Sequence, residues 1–199
     1  MIYIYGDSHS RAFDNLDLPH SLLHQTGITM YRIGRDNIII NYDKLIHNKE
    51  SIVCIAYGEI DCRCHILNQI LNYKRDENEV ITTLVNNYFL TLKNNLIDYK
   101  AVIIVGIIPT TNRNKYEREN DNFPFVGTDE ERVRITKKMN LLIKDYCNNL
   151  GYIYFYPYKT YECMDGTLNF DLSDTTVHIK DNTNFLNEFK LLLYNNNLL

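Results

Sequence analysis

Short apolar runs alternate with amphipathic stretches along this chain, and that alternation is the feature that most restricts its fold. The run Ala101 to Ile108 is typical of a strand buried on both faces. Further strands are predicted at Ile2–Tyr5, Ile28–Tyr31, Ile52–Ala56 and Tyr152–Tyr156. Apolar residues at helical spacing predict helices at Glu79–Tyr99, from Thr128 to near Gly151, and at Phe185–Tyr194. Alternating strands and helices predict an α/β fold whose parallel sheet is covered by helices on both faces.

The ends of the longest predicted helix carry clear signals. Thr128 and Glu131 have the spacing of a capping box, and Gly151 is suited to end the helix as a C-cap glycine. The chain has 199 residues, of which 45% are hydrophobic and 23% charged. This size and composition predict one globular domain over residues 1–199, with a sizeable core.

The first predicted strand runs directly into Gly6-Asp7-Ser8. A buried strand that ends in a small turn-forming tripeptide brings a hydroxyl to the carboxyl edge of the sheet, where open α/β folds keep their ligand crevices. Ser8 is therefore a candidate nucleophile. Gly, Asp and Ser are also ordinary turn residues, so the tripeptide alone is weak and needs a base elsewhere in the chain.

A candidate base occurs in the polar segment near the other end of the sequence. Asp174 and His178 lie close together just before the last predicted helix. A histidine oriented by a carboxylate is the usual activator of a serine hydroxyl. The segment is therefore predicted to supply both the acid and the base to Ser8.

These residues resemble the SGNH or GDSL hydrolases, in which Gly-Asp-Ser follows the first strand and an Asp-x-x-His block closes the chain. Two middle blocks have partial counterparts, at Gly34 and at Gly58-Glu59-Ile60-Asp61. The resemblance implies a three-layer α/β/α sandwich with a central parallel sheet of flavodoxin-like topology. It also implies a serine esterase that removes small acyl groups, O-acetyl groups of carbohydrate in particular, through an acyl-enzyme and without a cofactor.

The family's oxyanion hole predicts further site residues. It implies that the N–H groups of Ser8 and Gly34 hold the oxyanion, together with an Asn side chain in the third block. Ile60 stands where that Asn would fall, and losing one such donor costs about a hundred to a thousandfold in turnover. Arg63 is a candidate replacement because its guanidinium carries five donors. A second layer near the substrate is expected at Asp7, His9, Glu59 and Asp61, although Asp61 and Arg63 are equally consistent with internally paired charges.

The acid block departs from the family pattern in its spacing. Position 175 is Thr, so Asp174 lies one residue further from His178 than the family's Asp does. A turn can absorb one extra residue. Asp174 is the predicted partner of His178, and Asp171 or a backbone carbonyl are alternatives.

Two other functions are consistent with the same residues. An acyl-enzyme on Ser8 could pass its acyl group to a sugar hydroxyl instead of water, which would make the protein a carbohydrate O-acyltransferase. A catalytically degenerate domain that binds a glycan or a protein partner is favoured by Ile60 and by the shifted Asp174, and disfavoured by the presence of both Ser8 and His178.

Charge and cysteine usage limit the partners. The net charge is −4 without long basic clusters, so nucleic acid is not an expected partner. No apolar run has the length of a membrane span, and no signal peptide is recognised, so a cytoplasmic protein without membrane contact is predicted. The cysteines, five in number and scattered, suit reduced thiols. Cys62, Cys64 and His65 lack a matching second ligand pair, so no metal site is predicted.

Two polar segments are expected to shape the substrate site, namely Asn72 to Asn78 and Asn112 to Phe125. Loops at the carboxyl edge of a parallel sheet are where such folds vary their specificity. The charged residues of the second segment are interpreted as a solvated loop, with a lid as the alternative; they are Arg113, Lys115, Glu117 and Arg118.

Overall fold

A parallel sheet of five strands forms the centre of the structure, a computed structural model that describes residues 1–38, 49–115 and 122–199. The spatial order of the strands is β2-β1-β3-β4-β5, and every neighbouring pair is parallel. The strands are β1 (Ile2–Gly6), β2 (His20–His24), β3 (Ile52–Ala56), β4 (Ala101–Val105) and β5 (Ile153–Phe155). This order is the flavodoxin-like one, so the predicted topology is confirmed.

Helices cover both faces of the sheet. They are α1 (Met30–Asp36), α2 (Ile66–Leu71), α3 (Glu77–Asn95), α4 (Asp129–Leu150) and α5 (Thr183–Asn195). Alternate residues of β1 point to opposite faces. Tyr3 and Tyr5 pack in the core formed with α1, α3 and α4, whereas Ile2 and Ile4 pack in the core formed with α5. The three-layer α/β/α sandwich predicted from the sequence is therefore confirmed.

The predicted strand at Ile28–Tyr31 is wrong. The second strand is β2, and Met30 instead begins helix α1. The reason is the hydrogen bonding at this helix start: the Thr29 hydroxyl accepts the N–H of Arg32 at 3.0 Å, and the Asp61 carboxylate accepts the N–H of Met30 at 2.8 Å. These partners satisfy donors that a helix leaves free at its N-terminus, which outweighs the β propensity of the apolar side chains.

Both predicted ends of α4 are confirmed. Thr128 and Glu131 exchange side-chain to backbone hydrogen bonds in a capping box. Gly151 ends the helix in the left-handed region, with a φ of 70°. The long apolar run contributes β4 as its first part, and the chain leaves the sheet at Gly106.

Across the described parts of the chain, every helix is too short or too polar to cross a lipid bilayer. Of the predicted charged loop, residues 116–121, and with them Glu117 and Arg118, lie outside the described residues.

Candidate functional site

Ser8 lies directly beyond the carboxyl end of β1, next to β3. Gly6 ends the strand at a place where a Cβ atom would lie 2.6 Å from the carbonyl oxygen of Ala56, so only glycine fits there. Asp7 then caps a short 3₁₀ helix, Ser8–Phe13, by accepting the N–H of His9 at 2.9 Å. Ser8 is the first residue of this helix, and N–H groups in a first turn have no partner inside the helix. Ser8 is thus partly exposed at the sheet edge, and its N–H has no partner within the helix.

The loop before α5 brings His178 to this serine. Ser173 and Ile179 form an isolated antiparallel bridge, and the N–H of Asp174 donates to the carbonyl oxygen of His178 at 3.0 Å. The tight loop so formed places Nε2 of His178 2.8 Å from Oγ of Ser8. The structure thus brings the two predicted residues within hydrogen-bond distance across almost the whole length of the chain.

The Nδ1 atom of His178 faces two oxygen atoms. Oδ2 of Asp174 lies 3.2 Å away and Oγ1 of Thr176 lies 2.9 Å away. Thr175 has a φ of 66°, which bends the chain so that Asp174 faces back toward the imidazole in spite of the extra residue. A proton on Nδ1 is stabilised by both oxygens and leaves the Nε2 lone pair to accept the Ser8 hydroxyl proton.

The surroundings of His178 favour its neutral form. Burial lowers the pKa of His178, and the neighbouring His9 lowers it further, whereas Asp174 acts in the opposite direction; the net shift is downward. Asp174 is partly exposed, and its pKa is lowered: burial opposes the shift, while the Thr176 hydroxyl and His178 favour the carboxylate. At neutral pH the pair is therefore a neutral imidazole beside a carboxylate, which is the state a general base requires.

Asp7 and His9 lie on either side of Ser8 in the sequence, and His9 lines the cleft that contains Ser8 and His178. The rings of His9 and His178 pack with their centroids 4.7 Å apart. Nδ1 of His9 lies 3.0 Å from Oδ1 of Asp7, and both side chains are buried. His9 therefore packs against the imidazole that lies within hydrogen-bond distance of Ser8.

Glu59 and Arg63 form a buried ion pair. Nε of Arg63 lies 2.6 Å from Oε1 of Glu59, and a second guanidinium nitrogen lies 3.0 Å from Oε2. The guanidinium also donates to the carbonyl oxygen of Phe123 and lies over the ring of Phe125. Burial acts to raise the pKa of Glu59, but Arg63 and His9 outweigh it and hold that pKa down. Arg63 does not line the cleft around Ser8, so the structure does not support its predicted role in the oxyanion hole.

The structure contradicts the predicted role of Gly34. This residue lies inside helix α1, where its N–H belongs to the i→i−4 hydrogen bonds of the helix. A Cβ atom at Gly34 would lie 2.9 Å from backbone atoms of Asn87 and Tyr88, so this glycine permits the close packing of α1 on α3. Of the predicted oxyanion donors, the N–H of Ser8 alone remains at the site.

Asp61 is a structural residue rather than part of the cleft. Its carboxylate is buried and accepts the N–H groups of Met30 at 2.8 Å and Tyr31 at 3.2 Å. Burial raises the pKa of Asp61 to about 7, in opposition to these hydrogen bonds. The prediction that Asp61 borders the substrate is therefore not supported.

The cleft around Ser8 and His178 has a volume of about 250 Å³. Its walls come from the segment that begins with the 3₁₀ helix Ser8–Phe13 and from the loop around His178. Ile108 and Tyr158, which follow β4 and β5, complete the lining. The lining residues other than Ser8, His9, Asp174 and His178 are Arg11, Ala12, Asp14, Asn15, Ile108, Tyr158, Ile179, Lys180 and Asn182. Neither segment predicted to shape the substrate site contributes a described residue to this cleft. Most residues that do line the cleft are close in sequence to Ser8 or His178, and this proximity could have predicted them.

A larger cavity of about 360 Å³ lies between α1, α2 and α3. Its lining includes Tyr31, Arg35, His65 and Arg75 but no serine beside a histidine. Volume alone would favour this cavity as the candidate active site. The smaller cleft is the better candidate because it contains a serine hydroxyl beside a histidine. Among the described residues there is no cluster of three or more His, Cys, Asp or Glu side chains that could hold a metal. Cys62 and Cys64 are buried, and burial raises the pKa of Cys64 to about 12.

Comparison with known proteins gives a consistent result at the level of the fold. No protein-family model and no curated protein sequence matches the chain. Among solved structures, it is similar to a GDSL-like lipase from Bacteroides thetaiotaomicron, with a TM-score of 0.58, 15% identity, and coverage of 100% of this chain and 88% of the other. It is also similar to a member of the lipolytic G-D-S-L family from Veillonella parvula, with a TM-score of 0.50, 15% identity and coverage of 96% and 95%.

The C-terminal domain of the Drosophila Oskar protein has the same architecture, with a TM-score of 0.61, 12% identity and coverage of 96% of this chain and 87% of that one. At such identities the similarity concerns the fold. The chain therefore has the SGNH/GDSL hydrolase-like fold that the sequence motifs predict.

Proposed function

We propose that this protein is a serine esterase that removes small acyl groups, with O-acetyl groups on carbohydrate as the substrate class. The observation that carries the proposal is the 2.8 Å distance between Nε2 of His178 and Oγ of Ser8 at the carboxyl edge of the sheet. A serine hydroxyl becomes a useful nucleophile when an adjacent neutral imidazole can take its proton. Asp174 and Thr176 favour the tautomer in which Nε2 is free to do so.

The reaction proceeds through an acyl-enzyme. His178 takes the hydroxyl proton as Ser8 Oγ attacks the ester carbonyl, and the N–H of Ser8 donates to the oxyanion. The carbon–oxygen bond to the alcohol then breaks, and the proton on His178 passes to the departing alkoxide. A water molecule attacks the acyl-enzyme with His178 again as the base, which releases the carboxylic acid and restores the Ser8 hydroxyl.

The lining of the cleft supports a polar substrate rather than a long hydrocarbon chain. Several of the lining side chains are charged or carry an amide, namely Arg11, Asp14, Asn15, Lys180 and Asn182. A carbohydrate presents many hydroxyl groups that such side chains can bind. The volume of about 250 Å³ suits a small acyl group and part of one sugar ring.

Turnover of the proposed reaction is expected to be slow. The family's third-block Asn is replaced by Ile60, which cannot donate a hydrogen bond, Gly34 lies inside helix α1, and Arg63 is held in its ion pair with Glu59. Each missing oxyanion donor lowers turnover by about a hundred to a thousandfold. An assay therefore needs an activated ester and a low background of hydrolysis.

The test is hydrolysis of p-nitrophenyl acetate by the wild type and by Ser8→Ala, together with mass spectrometry after treatment with a fluorophosphonate. We expect a single adduct on Ser8 and a loss of at least about a thousandfold in kcat/KM for Ser8→Ala. Ser21→Ala, on the edge strand β2, is the matched control and should keep its activity. Equal rates in wild type and Ser8→Ala, with no adduct, would refute the esterase and favour a binding domain.

The same acyl-enzyme allows a further comparison. If acetyl transfer to an added carbohydrate acceptor exceeds release of acetate, the protein is an O-acyltransferase that uses Ser8. If added acceptor leaves the rate and the products unchanged, water is the acceptor and the esterase stands.

A further inference from the structure

His9 is held between two hydrogen-bond acceptors. Its Nδ1 lies 3.0 Å from Oδ1 of Asp7, and its Nε2 lies 3.2 Å from the carbonyl oxygen of Val177. A neutral imidazole has one N–H, so it could donate to only one of these oxygens and would turn a lone pair toward the other. The imidazolium donates to both. The contacts around the ring therefore favour the protonated form.

Asp7 supplies the charge that a buried cation needs. The carboxylate is 1% exposed, and its Oδ2 atom has no hydrogen-bond partner among the described residues. A buried carboxylate with one unpartnered oxygen is costly unless a cation lies beside it. Burial lowers the pKa of His9, but Asp7 and Glu59 outweigh burial, and the net shift is upward. Charge balance and hydrogen bonding thus lead to the same protonation state.

His9 lies against the proposed general base, His178. The centroids of the two imidazole rings are 4.7 Å apart. In addition, Val177, which accepts from His9, is the residue directly before His178. His9 therefore interacts with His178 in two ways. Its ring packs against the His178 ring, and its Nε2 lies within hydrogen-bond distance of the carbonyl oxygen of the preceding residue, Val177.

We propose that His9 is a positioning residue, held as an imidazolium between Asp7 and Val177, that fixes the loop of His178 and keeps His178 neutral and ready to accept a proton. The proposal rests on the function proposed above for Ser8 and His178. A positive charge on His9 makes protonation of His178 less favourable. His178 therefore remains neutral down to a lower pH than it would without His9.

Other charges face the two rings and set the size of the effect. Asp174 and Glu59 favour protonation of His178, and Arg63 acts against protonation of His9. The cleft also carries Arg11, Asp14 and Lys180, which are exposed and therefore screened by solvent and salt. His9 differs from these exposed residues because its ring is buried and packs directly against the ring of His178.

The substitution that isolates the charge is His9→Gln, since a Gln side chain can still donate to the carbonyl of Val177 but carries no charge. Two charges at this distance perturb a pKa by about one unit or somewhat more. At low pH, protonation of His178 should lower kcat/KM for p-nitrophenyl acetate, and we call this part of the pH profile the acid limb. We expect the acid limb to move to higher pH by about one unit in this variant. The height of the alkaline plateau is recorded separately, because the position of the acid limb is the readout of the charge. His20→Gln, which removes a partly buried histidine on β2, is the matched control and should leave the limb in place.

Titration of the His178 ring by NMR in the same variants gives a readout that does not depend on turnover. The proposal requires His178 to titrate at higher pH in His9→Gln than in the wild type. A lower plateau with an unmoved acid limb and an unmoved NMR titration would show that His9 has only a packing role, and would overturn the proposal. A wild type without esterase activity would refute the proposed function, while the NMR comparison would still decide the inference about His9.

Discussion

At the scale of single residues, the base of the proposed reaction is oriented by two side chains rather than one. Thr176 Oγ1 is nearer to Nδ1 of His178 than Asp174 Oδ2 is, at 2.9 Å against 3.2 Å. The Thr176 hydroxyl in turn donates to Oδ1 of Asp174. Asp174 therefore acts both directly and through Thr176, and it also binds the loop backbone through the N–H of Thr176 at 2.9 Å.

Asp174→Asn should reduce kcat/KM by about ten to a hundredfold, which is less than the about ten-thousandfold loss known where the aspartate is the sole buried partner of the histidine. The remaining Thr176 contact still favours the required tautomer. Asp174 raises the pKa of His178 relative to burial alone, so its neutralisation should move the acid limb to lower pH. A pH profile of p-nitrophenyl acetate hydrolysis measures both effects. An acid limb that moves to higher pH, as expected for His9→Gln, would contradict the conclusion that Asp174 raises the pKa of His178.

Ser8 and His178 could be singled out from the sequence as candidates because each lies in a short motif whose geometry is local. Gly6 and Asp7 form the turn that presents Ser8, and Asp174 lies in the same tight loop as His178. Thr176 was missed because threonine in a polar turn has no distinctive signal. For Arg63 the sequence allows both an oxyanion role and internal pairing, and it does not show that Glu59, one helical turn earlier, binds the guanidinium in a buried ion pair.

At the scale of elements, helix α1 depends on one glycine for its position. The site of a Cβ atom on Gly34 is 2.9 Å from the backbone of α3, which is closer than nonbonded carbon atoms approach without a shift of the chain. Gly34→Ala should therefore lower the free energy of unfolding by about 1–3 kcal/mol, although alanine is the better helix former. Urea denaturation measures the change. Asn94→Ala, an exposed substitution on α3, should stay within about 0.5 kcal/mol.

Helix α1 also explains why the sequence could not place Gly34. A glycine after a short apolar stretch has the same pattern whether it turns the chain at an active site or lets two helices approach. The partners that start α1 are Thr29, one residue before the helix, and Asp61, which is distant in sequence. Such a long-range cap cannot be recognised from local propensity, which is why residues 28–31 were predicted as a strand.

At the scale of the whole molecule, one buried carboxyl contributes a distinct dependence of stability on pH. Burial raises the pKa of Asp61 from its usual value near 4 to about 7 in the folded protein. Between those values the folded state binds more protons than the unfolded state, so this group stabilises the fold at low pH. Its contribution is lost as the pH rises toward 7.

Asp61→Asn should remove that dependence, because the amide resembles the protonated carboxyl and does not titrate. The free energy of unfolding of both proteins is measured by urea denaturation at several pH values between 4 and 7. As the pH rises, the stability of Asp61→Asn should increase relative to that of the wild type. Comparison of the two proteins cancels the titration of Glu59 and His9, which they share. A difference that stays constant over this range would show that Asp61 does not titrate there.

The overall topology was predictable because alternating strands and helices leave few arrangements of a parallel sheet. The cleft was less so, since its walls depend on how the segment after Ser8 meets the loop after His178. Asn182 joins these parts by donating to the carbonyl oxygens of Ala12 at 3.1 Å and Asp14 at 2.6 Å. No pattern along the sequence shows that this side chain reaches back so far.

The pairing of Ser8 with His178 across 170 positions has a consequence for the order in which the protein acquires its chemistry. The strand and turn that present Ser8 form early in the chain, but without residues 173–179 in place Ser8 is an ordinary hydroxyl. Loop closure over so many residues is entropically unfavourable and is offset only when the sheet and α5 have packed. Under the proposed function, reactivity of Ser8 is therefore a property of the completed fold, and a chain misfolded near either end would be inert rather than partly active.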